Sequence, residues 1–550
     1  MKEARTKGSG PAGLGILESR RSTQGAGRNQ APTAARSQPQ PGPVPRRRLC
    51  KHGIHTVLIP GQEVLLLTID AHRRRILGFL LVLLGCLFFA VRGYHDQRTT
   101  LQSFDFKPVY SSTLCLLEGC DPYDSAQIEQ AYLRHGGDAS DLRPFRPYNA
   151  NYPPSALFLT IPLALLAFPV ARAIWLSLGI VLFCVAALCT ADLCRPDPSS
   201  GGGSAGGPAL AAQALLAAFV ASSTILVMLG QPAMYSISLA VIAAWSFLRR
   251  RALVLGVLAF AVSLTLKPHV GALIWLFFLL SPGGNFAASS GSAAAVTSAD
   301  APATAVSRRR LALFVLAATL LLMTPGMLLA YHHPASAHWT RELRHNLVEI
   351  ASPGQASNPG PSNDEAGSIA SLQALFALRH HSASFYNPAA YVVFLPLMAA
   401  WLYLLLRPSA AALPDGSSPS AIRDADLLAL AAAAALSFLP IYHRQYDTRL
   451  LLLIFPAVAA LACRYRWLGS AALALSALAT VTLSHQFVHL GSALAAQPAW
   501  QGGVLHGILW LALDRPLPLT LLLLSGFFLY AMFHVAAEDA PDRQAPAGNS

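Results

Sequence analysis

The run "ILGFLLVLLGCLFFAVRGY", residues 76–94, decides the fold. It carries no charge before Arg92, and Arg73, Arg74 and Arg75 stand immediately in front of it. A run of this length can cross or nearly cross a hydrocarbon layer of about 30 Å as a helix. Lipid offers the backbone no partner, so the segment must satisfy its own amides and carbonyls, which a helix does. Comparable runs recur through the 550 residues, of which 54% are hydrophobic and 12% charged. A soluble domain carries about a quarter charged residues. The composition therefore predicts an all-α, polytopic transmembrane helical bundle.

The net charge of +13 does not point to nucleic acid. The arginines stand in triplets beside apolar runs, at 46–48, 73–75, 249–251 and 308–310, where they mark loops retained in the cytoplasm. Counting outward from these marks places about twelve spans, near 76–91, 173–193, 209–229, 235–248, 252–266, 270–281, 311–330, 389–406, 427–441, 449–463, 468–483 and 516–534. The apolar stretch 155–193 is read as one crossing preceded by a short, proline-broken helix at the outer surface. Residues 1–48 lack a signal-peptide core and are rich in Gly, Pro, Gln, Ser and Arg, so they read as a disordered cytoplasmic tail, and the short apolar "IHTVLIPGQEVLLLTI" that follows reads as interfacial or packed on the membrane domain, 1–72 together forming the N-terminal tail. The bundle domain is 73–536, and 537–550 is a short cytoplasmic tail.

This topology collects the unusual polar clusters on the extracytoplasmic face. They are the segment 92–154, the turn "LGQPAMY", the helix end "LKPH", the segment 331–388 and the turn "IYHRQYDTR". Span interiors are almost free of charge and no internal repeat is evident, which argues against a secondary transporter. No polar ring suggests a channel. His332, His333, His338 and His345 fit no standard zinc spacing, and neither metal nor cofactor is expected. Cys115 and Cys120 share the first external segment, as a disulfide or as two free thiols.

Taken in order, "GCDPYD", "NYPPSALFLTIPLALL", "ARAIW", "LGQPAMYSISLAVIAAW" and "LTLKPHVGALIW" resemble a GT-C glycosyltransferase, more narrowly glycosyltransferase family 87, the polyprenyl-phosphate-mannose-dependent α-mannosyltransferases of bacteria. The resemblance covers roughly residues 76–480 and departs after Gln231, where Pro232 and Ala233 replace a frequent Asn. It implies external loops forming a cleft in a bacterial cytoplasmic membrane, and inverting transfer of a hexose from a polyprenyl-phosphate donor to a lipid or glycan acceptor. It also implies a carboxylate base in the first external loop. Asp105, between Phe104 and Phe106, is the candidate base, because an apolar setting raises a carboxyl pKa. The other reading of Asp105 is a helix cap or a solvated loop residue.

The remaining candidates are substrate-binding. Asp121, Tyr123 and Asp124 of "DPYD" either contact substrate or form a turn and helix start. Lys267 either clamps the donor phosphate or snorkels to the interface. His443 and Arg444 either bind phosphate or sugar or form a plain turn. Gln231 shapes its turn or touches substrate, and Tyr152 stands where the helix that walls the cleft is broken. Two further function classes compete: a lipid-linked-glycan transporter or flippase, and a non-catalytic membrane subunit.

Overall fold

The computed structural model describes residues 71–99, 103–142, 150–195, 206–281, 306–407, 419–495 and 504–538. The N-terminal tail up to residue 70 and the C-terminal tail from 539 lie outside the described residues, as do the arginines at 46–48. Among the described residues the fold is all-helical, and the only extended pairing is an isolated bridge between Ile369 and Arg444.

The main helices are α1 (Ala71–Thr99), α2 (Phe168–Leu193), α3 (Gly206–Ala221), α4 (Ala233–Arg249), α5 (Leu253–Leu266), α6 (Pro268–Leu280), α7 (Arg308–His332), α8 (Ala383–Leu406), α9 (Pro419–Leu436), α10 (Phe455–Arg464), α11 (Arg466–Thr482) and α12 (Pro516–Glu538). Each of the twelve apolar stretches read from the sequence overlaps one of them; 209–229 continues past α3 into the short helix Ile225–Leu229, and 449–463 begins before α10. Seven helical segments are long and apolar enough to cross a membrane, or eight if the bent pair Arg466–Thr482 and His485–Ala495, which turns by 73°, counts as one. The chain is a membrane-embedded helical protein. Helices α4, α5 and α6 are shorter, at 17, 14 and 13 residues. At about 1.5 Å per residue, α5 and α6 fall short of the hydrocarbon thickness.

Three expected boundaries are corrected. The span expected at 427–441 ends at Leu436, because Pro440 and the turn behind it cannot continue a helix. The span expected at 449–463 opens as a ten-residue 3₁₀ helix, Gln445–Ile454, before α10. Such runs seldom exceed three or four residues, and longer ones mark functional or strained places. The crossing expected at 173–193 begins at Phe168, after two short helices, Pro154–Leu159 and Ile161–Ala164, separated at Thr160.

Packing follows residue size. Gly85 lets α1 lie on α3 so closely that an added Cβ would sit 2.5 Å from the Ala217 carbonyl oxygen. The alanine run Ala431–Ala435 of α9 is fully buried, the small-residue surface by which helices in lipid approach one another. Leu84 and Leu87 of α1 face outward, as suits a hydrocarbon surround.

Helix ends sort into two groups. At one end Arg249 Nε donates to Asp192 Oδ2 at 2.8 Å, Arg308 to Asp426 at 2.7 Å, and Arg423 to the Leu193 carbonyl at 3.0 Å. Arg464 pairs with Asp424 at 2.8 Å there. At the other end Asp105 N–H donates to Leu229 O at 2.9 Å, Ala370 N–H to His443 O at 2.8 Å, and Gln445 Nε2 to Leu483 O at 2.9 Å. The first group joins the ends beside the arginine-marked loops; the second joins the polar clusters.

Candidate functional site

The site is built on the loop between α1 and the helix Phe106–Glu118. Ser103 adopts a left-handed φ of 63°, turning the chain back toward the segment before α4. Phe106 stacks on Trp175 at a centroid distance of 4.7 Å, and Trp175 Nε1 donates to Gly230 O at 2.8 Å. Gly230 itself has φ 65°, a conformation glycine adopts without strain. These contacts carry Gln231 to Asp105, where its Nε2 donates to Asp105 Oδ2 at 2.7 Å. Asp105 stands at the cap position of Phe106–Glu118, yet its side chain makes no capping bond. The capping role left open by the sequence is therefore not the one the carboxylate plays.

A cavity of about 720 Å³ opens here, within the range of small-molecule sites. Asp105, Tyr152, Gln231 and Arg444 line it, with Phe104, Glu365, Tyr442, Tyr446, His485 and His489. Ile225, Met228, Leu229, Ile350 and Val488 make its apolar part. Burial pushes the Asp105 carboxyl up to about 6, against the opposing influence of Arg444, the Gln231 hydrogen bond and Lys267. Arg444 holds its place through Glu365 at 2.5 Å, the Tyr442 hydroxyl at 2.7 Å and the Ala356 carbonyl.

Two expected cavity residues lie behind the wall instead. Lys267 occupies the break between α5 and α6, buried, with Nζ donating to Asp447 Oδ1 at 2.8 Å. Its ammonium is met inside the protein by that carboxylate. His443 is fully buried, with Nδ1 3.3 Å from Asp447 Oδ2. The ring of His269 lies 4.9 Å from that of His443. His269, His443 and Asp447 bring ligand atoms within 4.8 Å of one another, while the four external histidines form no such group among the described residues. The Lys267 ammonium already supplies a positive charge to this carboxylate, and a divalent ion would have to displace it.

The "DPYD" residues lie outside the cavity lining. Asp124 caps the helix Ser125–Arg134, accepting from the N–H groups of Ala126 and Gln127 at 2.9 and 3.0 Å. Asp121 accepts from Tyr123 N–H at 2.9 Å, and burial raises its pKa. Tyr123 donates its hydroxyl to the Tyr152 carbonyl at 2.8 Å and accepts Asn346 Nδ2 at its own carbonyl at 3.1 Å. None of the three lines the cavity; Tyr123 alone touches Tyr152, which does. Asn346 belongs to the helix Trp339–Ile350, whose last residue lines the cavity. Cys115 and Cys120 form a disulfide.

Sequence reasoning missed Asp447, His269, Glu365, Tyr446, His485 and His489. Asp447 and His269 stand inside "YHRQYDTR" and "LKPH", so the signal was a second ionisable residue beside each one chosen. No protein family, no curated protein and no solved structure matches the chain.

Proposed function

We propose that the protein is a membrane glycosyltransferase of the GT-C class, resembling family 87, that moves a hexose, mannose in the first instance, from a polyprenyl-phosphate donor to a hydroxyl of a lipid or glycan acceptor. The observation that carries this reading is Asp105, an uncapped carboxylate on a cavity wall with its pKa raised to about 6. A base of that strength suits proton removal near neutral pH. Asp105 takes the acceptor proton while the acceptor oxygen bonds to the sugar C1. The bond from C1 to the phosphate oxygen breaks with inversion, and polyprenyl phosphate leaves. Arg444 sits where it can meet the growing negative charge, and the apolar residues of the cavity suit the first isoprene units.

The membrane would be the bacterial cytoplasmic membrane, crossed twelve times with both termini inside and the cavity outside. Two features support that sidedness: the arginine-marked loops gather at the opposite end, and the disulfide Cys115–Cys120 suits an oxidising compartment.

The test is transfer of labelled mannose from polyprenyl-phosphate-mannose in membranes holding equal folded amounts of wild type or Asp105→Asn. A loss of about 10²–10⁴-fold is expected of the variant. Equal transfer in both would remove Asp105 as the base. Lipid movement across sealed vesicles, without transfer of any sugar and indifferent to Asp105, would put a flippase in place of the enzyme.

A further inference from the structure

The helix His485–Ala495, bent by 73° from α11, turns one face to the cavity. His485, Val488, His489 and Ser492 all line it, at the three- and four-residue spacing of one helix face. His485 is half-buried and His489 is exposed. Their rings meet at a centroid distance of 4.2 Å with planes at 90°. Among the described residues no protein hydrogen bond engages either imidazole. A neutral imidazole keeps one nitrogen lone pair to give. Two histidines at i and i+4 are the spacing by which a helix offers both rings to one zinc ion.

The surroundings favour a cation. The acidic side chains Asp105, Asp364 and Glu365 line the cavity against the single guanidinium of Arg444. The turn Ala366–Ser368 lies directly on the histidine-bearing helix, where an added Cβ at Gly367 would stand 2.9 Å from Ser492 Oγ and 3.8 Å from Val488 Cγ1. Glu365 immediately precedes that turn, and its charge acts on His485. One of its oxygens is held by Arg444, and a carboxylate has a second to offer. We propose that His485 and His489 are the protein ligands of a divalent transition-metal site of the zinc class within the cavity, beside the Glu365 carboxylate. Imidazole suits zinc, and water can complete its tetrahedral shell. The buried group His269, His443 and Asp447 is separate, since Lys267 already meets its carboxylate. Metal binding by the pair stands apart from sugar transfer and is measured without it.

The competing role for the pair is packing, one ring edge against the other's face. That role needs an aromatic ring at 489 and no lone pair, which separates the two. Full-length protein, purified in detergent without a histidine tag, is titrated with zinc chloride and with magnesium chloride by calorimetry. The wild type is expected to bind zinc at least about tenfold more tightly than magnesium, which imidazole serves poorly. His489→Gln is expected to weaken zinc by at least about tenfold, since loss of even an outer-shell partner costs about 10–100-fold. His489→Phe keeps a ring against His485 and should lose zinc to the same extent.

A wild type that binds zinc no better than magnesium overturns the site without any variant. Because His489 is exposed, its variants test the site without disturbing the core, and a poorly folding His485→Gln does not shelter it. Wild-type zinc affinity in folded His489→Gln or His489→Phe overturns it too, whichever other histidines then hold the ion.

Discussion

Asp105 and Gln231, separated by 126 positions, meet through a 2.7 Å hydrogen bond at the cavity wall. The bond favours the carboxylate and opposes the burial that pushes Asp105 up to about 6. If Asp105 is the base, kcat/KM for sugar transfer falls as pH drops below about 6. Gln231→Leu removes a bond to the ionised form, so the acidic limb should move upward by about 0.5–1 pH unit. A limb that stays in place in this variant would show that another group controls it.

The same shift has a sign for stability. Asp105 binds its proton more tightly in the folded chain than at the ordinary 3.8, so its contribution is favourable at low pH and is lost as pH rises from 3.8 through about 6. Asp105→Asn cannot ionise and keeps a donor and an acceptor. At pH 7 it should be at least as stable as wild type, gaining at most about 3 kcal/mol. Thermal unfolding in detergent checks this, and a clear loss of stability would mean that the carboxylate is held by more than the Gln231 bond.

Gly230 sets the geometry between these two residues. Its φ is 65°, and an added Cβ would meet the Cβ atoms of Ser103 and Phe106 at 3.0 and 3.2 Å. Gly230→Ala should cost about 1–2 kcal/mol of stability and displace Gln231 from Asp105. The measurable pair is a lowered Tm and a transfer rate reduced along with it. Wild-type values for both would mean that the turn relaxes freely.

Much of the bundle was legible because apolar runs and arginine triplets are local signals. The run 76–94 gives α1 without knowledge of any partner. Asp105 was legible for a similar reason, as an acid between two aromatics just past a span. What joins Asp105 to Gln231 was not, since nothing local pairs residues so far apart. Asp447 was hidden by its neighbours: among His443, Arg444 and Arg449 it reads as one charge of a solvated turn, and only the approach of α5 turns it into the partner of Lys267. Asp121 and Asp124 carried both a turn-or-helix-start and a binding reading; Asp121 accepts the Tyr123 N–H, Asp124 caps the helix Ser125–Arg134, and neither lines the cavity. The 3₁₀ stretch Gln445–Ile454 has no sequence signature that separates it from an ordinary apolar helix.

Lys267 and Asp447 are both buried, and without the ammonium Asp447 would keep only His443 and the Arg444 N–H, both at 3.3 Å. Lys267→Met should destabilise by about 3–5 kcal/mol, while Lys267→Met with Asp447→Leu should recover much of that loss. A double-mutant cycle on thermal unfolding measures the coupling directly. A single Lys267→Met variant within about 1 kcal/mol of wild type would mean that His443 and His269 can satisfy Asp447 without the ammonium.

The two groups of helix ends make sidedness testable one position at a time. Arg341 is exposed on the helix Trp339–Ile350 near the cavity, and Arg251 is exposed at the turn between α4 and α5. In a chain whose other free cysteines are replaced, Arg341→Cys should react with a membrane-impermeant thiol reagent added to intact cells. Arg251→Cys should react only after the membrane is opened. Cys115 and Cys120 should stay unlabelled until a reductant is added, because their disulfide holds both sulfurs. Reaction of Arg251→Cys from outside, with Arg341→Cys protected, would invert the bundle and place the cavity in the cytoplasm. A lipid-linked donor presented on the extracytoplasmic leaflet could then not reach Asp105.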